Sequence, residues 1–315
     1  MVIRLRLAIA VVVAATAVVG AIAATAGSAE PVARPAAAAQ IAPEPQQLEA
    51  QLVRTYDAFD ANQGVAVDRS NFYAVDNRSI TKHDRSSGAP LLQFAGASGG
   101  PLIHMDSGAI YRGKLYAAHS NYDDSPMESS VEVFDARTLE HVASHSFGID
   151  RGSLTWIDRH DGFWWAGFAN YDVIPDGQTM PYGETDNTQI VKMNDDFQVV
   201  AAYTIPHEIL DRFKPMSNSG GSWGPDGRLW LTGHDLGEAY VMEPPRAGAE
   251  LRWIATVSLP GVEGQGIAWD RSGPRPTLWT IKRSTKQVLQ FSVPYRDLDE
   301  PASNDWHING PGHFE

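Results

Sequence analysis

The chain of 315 residues contains no cysteine. Disulfide staples, thiolate nucleophiles and thiolate metal sites are therefore excluded, and stability has to come from buried apolar surface and from closure of the architecture. Basic residues are also scarce, 25 against 38 acidic ones, for a net charge of −13. Residues 1 to 40 contribute three arginines and one glutamate, so the remainder carries 22 basic and 37 acidic residues, a net charge of −15. Such a body repels nucleic acid and anionic membrane surfaces. Ser129-Ser130 and Ser217-Asn-Ser-Gly-Gly have no strand-to-helix elbow to present a nucleophile, which argues against a serine hydrolase.

One long apolar run is present. Leu7 to Ala24 follows the basic start Arg4 and Arg6 and precedes the small residues Gly27, Ser28 and Ala29, so residues 1 to 29 read as a secretory signal peptide or, uncleaved, as an N-terminal anchor. Either reading exports the body to the periplasm or the extracellular space. Residues 30 to 48 are rich in Pro, Ala and Gln without an apolar period, the composition of a disordered linker.

The rest is organised by a repeat. Five pairs, Phe72-Tyr73, Leu115-Tyr116, Trp164-Trp165, Leu229-Trp230 and Leu278-Trp279, each end 8 to 13 residues after a small residue that opens an alternating run. The openers Gly64, Gly108, Ser153, Gly221 and Gly266 are spaced 44, 45, 68 and 45 residues apart. A period in the forties with several short strands per repeat marks a β-propeller. The expected fold is all-β with five blades over residues 49 to 295, a C-terminal tail over 296 to 315, and a monomeric state. The fifth repeat lacks its outermost strand, and Leu52 to Phe59 is placed to supply it, closing the ring and removing open sheet edges. The long spacing is assigned to two loops, Tyr171 to Asp186 and Pro206 to Ser217, with a sixth blade as the alternative.

In a propeller the loops before the first strand and after the second strand of each blade share one face. The turns on the opposite face, such as Arg112-Gly113 and Pro225-Asp226-Gly227, are ordinary turn formers. The first face instead collects Gln63, His104, Asp106, His119, Asn121, Arg151, Asn218, His234, Lys282 and Arg283. Unlike polar groups converging near one axis between aromatic walls suit a small-molecule substrate, while polar plugging of the axis is the structural alternative. His119 and His234 end second strands in blades two and four, and with Asp106 they form a conceivable His/His/Asp metal set. Their spacing does not single out a ligand set, so no cofactor is assigned beyond a structural divalent cation in the central channel as an option.

Several segments carry a resemblance. His119-Ser-Asn-Tyr, Ser129-Ser-Val-Glu, Ser144-His-Ser-Phe-Gly, Gly152-Ser-Leu-Thr-Trp, Ser217-Asn-Ser-Gly-Gly and Thr232-Gly-His-Asp resemble a group of exported bacterial propeller proteins named cycloisomerase, over roughly residues 60 to 293. That resemblance implies lactone chemistry, the addition of a carboxylate to an alkene or its reverse. A more distant likeness is to the five-bladed glutaminyl cyclases, through Gln63-Gly64 and Gly266-Ile-Ala-Trp-Asp. It implies a functional lysine at Lys282 and a functional asparagine near Asn218, and it places Asp106 where that family has a catalytic glutamate.

The resulting expectation is an exported enzyme using acid/base chemistry on a small polar substrate. Asp106 relays protons with His104 or His119; Lys282, Arg283 or Arg151 holds a carboxylate or oxyanion; Gln63, Asn121, Asn218 and His234 orient the substrate. A noncatalytic propeller that binds a ligand or protein on the same face is the alternative.

Overall fold

The computed structural model describes residues 44 to 299 except 175, 178 and 182. The signal or anchor segment, the linker up to residue 43 and the tail from residue 300 lie outside the described residues. Two strands, β1 (Gln46–Glu49) and β2 (Gln51–Asp57), precede the first opener. Blade 1 is β3 (Gly64–Val67), β4 (Asn71–Val75), β5 (Ser79–Asp84) and β6 (Pro90–Ala95). Blade 2 is β7 (His104–Tyr111), β8 (Lys114–Ser120), β9 (Ser129–Asp135) and β10 (His141–Gly148). Blade 3 is β11 (Ser153–His160), β12 (Phe163–Ala169), β13 (Gln189–Met193) and β14 (Val199–Thr204). Blade 4 is β15 (Gly220–Trp223), β16 (Leu229–Thr232), β17 (Glu238–Glu243) and β18 (Arg252–Ser258). Blade 5 is β19 (Ala268–Asp270), β20 (Thr277–Lys282) and β21 (Gln287–Ser292), completed by β2. The innermost strands β3, β7, β11, β15 and β19 neighbour one another in cyclic order. The molecule is a five-bladed β-propeller.

The paired bulky residues explain why the blades stack. Consecutive residues of a strand point to opposite faces, so each second strand sends one large side chain into each neighbouring blade. Phe72 packs back against blade 5 and Tyr73 forward against blade 2. Trp164 faces blade 2 and Trp165 faces blade 4; Leu278 and Trp279 do the same for blades 4 and 1. Each buried side chain of this size contributes about 1.5–3 kcal/mol. The repeat is thus the sequence trace of five interblade cores.

Ring closure follows the expected device. β2 pairs antiparallel with β21, from Gln51 opposite Ser292 to Asp57 opposite Gln287, and Tyr56 stacks on Trp279 at 5.4 Å. Three boundaries differ from expectation. The linker was drawn to residue 48, yet Gln46–Glu49 forms β1, a fifth strand lying parallel to β18. The tail was drawn from residue 296, yet Tyr295–Asp297 forms a 3-10 turn, Leu298 is buried, and the Asp299 amide donates to Gln46 Oε1 at 2.8 Å. The loop drawn over Pro206 to Ser217 contains helix α1 (His207–Phe213), which buries Ile209, Leu210 and Phe213. Neither long insertion forms a sixth blade among the described residues.

Two close approaches fix the centre. At the axis, a β-carbon added to Gly64 or to Gly266 would lie 2.6 Å from Ser107 Cβ, and one added to Gly220 would lie 2.9 Å from the Gly266 α-carbon. Only glycine lets these backbones meet. Between blades 3 and 4 the fully buried Trp156 is wedged against Gly167 and Gly221, whose added β-carbons would each fall 2.2 Å from its indole.

The opposite face holds more than turn formers. Buried Asp158 accepts hydrogen bonds from Ser222 Oγ, the Trp223 amide and Arg271 Nη2 at 2.7–2.9 Å, joining blades 3, 4 and 5. Arg85 of blade 1 pairs with buried Asp270 of blade 5 at 2.5 Å.

Candidate active site at the axial mouth

Five of the ten residues singled out from the sequence meet at the axial mouth. Gln63, immediately before β3, accepts from Arg283 Nη2 at 2.8 Å and donates to Asn77 Oδ1 at 2.6 Å. Arg283, immediately after β20, also donates through Nε to the Asn62 carbonyl at 2.7 Å and lies 3.4 Å from His234 Nε2 through Nη1. His234, just past β16, is 2.6 Å from Asp235 through Nδ1. His104 opens β7, with Nε2 3.5 Å from Asp106 Oδ1 and its ring 5.0 Å from that of Tyr122. Residues of blades 1, 2, 4 and 5, far apart in sequence, are thus drawn together by the ring.

Asp106 holds the most telling position. It falls in a β-bulge, because the β7–β8 register slips between Met105 and Gly108, and bulges re-aim side chains. The residue is 6% exposed, and its Oδ2 is buried without a hydrogen-bond partner. A buried carboxylate oxygen in that state is costly unless something else requires it. Its charge is felt around the mouth. Burial lowers the pKa of the Arg283 guanidinium, and Asp106, followed by Asp76, Asp235 and Glu263, pushes it back up. Burial raises the Tyr122 phenol, and Asp123 and Asp106 raise it further. The open depression at the mouth, about 860 Å³, is lined by Asp76, His104, Tyr122, Asp123, Asp124 and Arg283 among others; Asp106 and His234 are not part of the lining and adjoin it through His104 and Arg283.

The other five sequence-predicted residues are placed elsewhere. His119 Nε2 accepts from the Ile103 amide at 3.1 Å, so Nδ1 carries the proton and donates to Ser130 Oγ at 2.9 Å, which in turn donates to Glu132 Oε1 at 2.6 Å. Both ring nitrogens are committed, and burial holds the imidazole below its ordinary pKa, against opposing pulls from Glu132 and Asp106. Asn121 braces its own loop, accepting from the Glu128 amide at 2.6 Å and donating to the Pro126 carbonyl at 3.0 Å. Asn218 is wholly buried, accepting from Trp156 Nε1 at 2.7 Å and donating to the Gly220 and Thr232 carbonyls at 2.9 Å each. Arg151 donates to Gln189 at 3.2 Å on blade 3. Lys282 ends β20 opposite Gln287, and its charge acts on Glu263 outside the depression's lining. His119, His234 and Asp106 do not share a coordination sphere, and no cluster of three or more His, Asp or Glu poised for a metal occurs among the described residues.

Two features were missed in the sequence. Asn62 and Asp76 adjoin the mouth; Asn62 stands directly beside Gln63, already placed on that face, which was the available signal. The second is a cavity of about 410 Å³ between blades 1 and 2, where His119, Ser130, Glu132, His141 and Ser144 meet Phe94 and Leu102. Alternation along β9 puts Ser130 and Glu132 on one face, but outer-strand polar residues read as solvent-facing from sequence alone.

No protein-family model and no curated protein matches the chain. Solved structures do. An aldose sugar dehydrogenase from Streptomyces coelicolor, solved with bound PQQ, aligns over 78% of this chain and 98% of its own at 14% identity, TM-score 0.48. Virginiamycin B lyase from Staphylococcus aureus aligns over 74% and 68% at 12% identity, TM-score 0.41. A hydrazine synthase chain from Kuenenia stuttgartiensis aligns over 72% and 69% at 10% identity, TM-score 0.41. These likenesses extend to the fold and no further.

Proposed function

We propose that the axial mouth is the active site of an exported enzyme that performs acid/base chemistry on a small polar substrate carrying a carbonyl or carboxylate. The observation that carries this reading is the buried, unpartnered Oδ2 of Asp106 in the field of Arg283. The bonds to Asn62, Gln63 and His234 engage three of the five guanidinium N–H groups, and the other two suit an oxyanion or carboxylate oxygen. Around that cation the rim is acidic, with Asp76, Asp123 and Asp124, which favours a substrate that also bears an ammonium group.

In this mechanism the attacking amine or hydroxyl loses its proton to Asp106 Oδ2 as it adds to the carbonyl, and the same proton passes to the leaving group. Asp106 is regenerated as a carboxylate. Arg283 stabilises the oxygen charge that develops between the two transfers, and His104 is close enough to Asp106 to orient it. Intramolecular attack by an amine gives the cyclotransferase outcome implied by the more distant resemblance; attack by a hydroxyl also gives a lactone, by acyl transfer and not by the carboxylate-to-alkene addition that the first resemblance implies. A positioned acid/base group contributes about 10²–10⁴ in rate. Turnover would be measured on a panel of lactones, hydroxy acids and peptides with N-terminal glutamine. Asp106→Asn should lower kcat by about 10²-fold or more while leaving the thermal transition in place; full turnover by this variant defeats the assignment.

A second reading has its own support. The commitment of His119, Asn121 and Asn218 to internal bonds leaves few groups for chemistry, as a noncatalytic binding propeller requires. Panel compounds that stabilise the protein and are never transformed decide for binding alone.

A further inference from the structure

Blade 2 turns a polar face toward blade 1. His119, Ser130 and Ser146 form one cross-strand row over β8, β9 and β10, and Ala117, Glu132 and Ser144 form the next. Deeper along the same face, Leu115 and Phe134 return to the apolar packing expected between blades. The polar rows face Phe94, Ala97, Pro101 and Leu102, which close the cavity of about 410 Å³, within the range of small-molecule sites.

The chemistry of its floor is one-sided. Glu132 is 3% exposed and accepts from Ser130 Oγ at 2.6 Å, Ser144 Oγ at 2.8 Å and His141 Nε2 at 2.7 Å. An ionised carboxylate offers about four acceptor sites, so one remains. Glu128 is a second carboxylate on the lining, no lysine or arginine is present there, and His141 on the lining is already paired with Glu132. His119 adds no positive charge, because its Nε2 already accepts a backbone N–H. Acceptors and negative charge below apolar walls match a ligand with a cationic donor at one end and a hydrocarbon body.

We propose that this interblade cavity binds a small organic ammonium ion, its charged nitrogen at Glu132 and its apolar body between Phe94 and Leu102. The site is separate from the axial mouth and does not depend on the chemistry assigned there. It also gives a role to the Ser129–Glu132 and Ser144–Ser146 segments, which the axial site leaves without one.

Calorimetric titration of the full chain with 2-phenylethylammonium, 2-phenylethanol and 3-phenylpropionate tests this at pH 8, above the range in which an ordinary imidazole is charged. The ammonium should bind, the alcohol should bind at least about tenfold more weakly, and the carboxylate should not bind. Ser146→Trp, which strand alternation aims into the cavity, should abolish the signal, whereas Asp76→Asn on the acidic rim of the axial mouth should leave it unchanged. Glu132→Gln should weaken binding about tenfold or more; if that variant does not fold, Ser146→Trp carries the test. Equal affinity for the alcohol, no binding of the ammonium at millimolar concentration, binding that survives Ser146→Trp, or binding lost with Asp76→Asn overturns the proposal.

Discussion

Replacing Asn218 by alanine separates a structural residue from a substrate-orienting one. Its amide oxygen takes the indole proton of Trp156, and its amide nitrogen serves the Gly220 and Thr232 carbonyls, all in a site closed to solvent. In Asn218→Ala the indole N–H is left buried without a partner, which costs about 1–3 kcal/mol. The Thr232 carbonyl keeps its bond from the Ser219 amide at 3.0 Å, and each of the two lost carbonyl bonds is counted at the ordinary net value of about 0.5–1.5 kcal/mol. Together the loss is about 2–6 kcal/mol, a large share of the 5–15 kcal/mol that typical domains possess. Relaxation cannot recover much, because Gly167 and Gly221 already touch the indole. Urea unfolding followed by tryptophan fluorescence would measure the change. A loss below about 1 kcal/mol would show that the hydrogen bonds at this wedge are not what holds it, and the structural assignment of Asn218 would fall.

Three further outcomes are expected. Arg85→Met removes the cationic partner of buried Asp270 across the blade 1–blade 5 seam, leaving only its Ser272 hydrogen bonds, and should destabilise by about 3 kcal/mol, read by the same urea titration; an unchanged midpoint refutes it. Deleting residues 1 to 57 removes β2 and should leave β21 as an open edge, giving aggregation in size-exclusion chromatography, whereas deletion through residue 45, which spares β1 and β2, should stay soluble. Burial lowers the pKa of His83, His119 and His160 in the folded state, so the unfolded chain binds protons first as pH falls. Stability should be complete above the ordinary imidazole pKa of about 6.5 and fall below it, by at most about 1.4 kcal/mol per pH unit for each histidine; a Tm that stays flat or rises between pH 7 and pH 5 contradicts this.

The fold was legible because its determinants are local and repeated. Leu229-Trp230 declares a strand buried on both faces without reference to its neighbours, and LVRTYDAF reads as the missing strand because the fifth repeat visibly lacks one. β1 was not legible: Gln46–Glu49 lies in Pro- and Gln-rich sequence and owes its conformation to pairing with β18. Helix α1 left only a faint trace, Ile209, Leu210 and Phe213 on one side of a single short element. The site was half legible. Blade position predicted that Gln63, His104, Asp106, His234 and Arg283 share a face, since that follows from where loops fall in the repeat. It did not predict that Asn218 and Asn121 spend their amides on backbone carbonyls and N–H groups, or that a backbone N–H occupies His119. Those outcomes depend on which hydrogen-bond partner lies within 3 Å in the folded molecule, and no periodicity encodes that.

The meeting of Gly64, Ser107, Gly220 and Gly266 at the axis has a consequence for traffic. With backbones this close there, chain and not side chain narrows the axis, so whatever docks beside Arg283 should arrive and depart by the mouth. A departing molecule and its successor compete for that doorway, and residues on the far side of the ring can change without altering what is admitted.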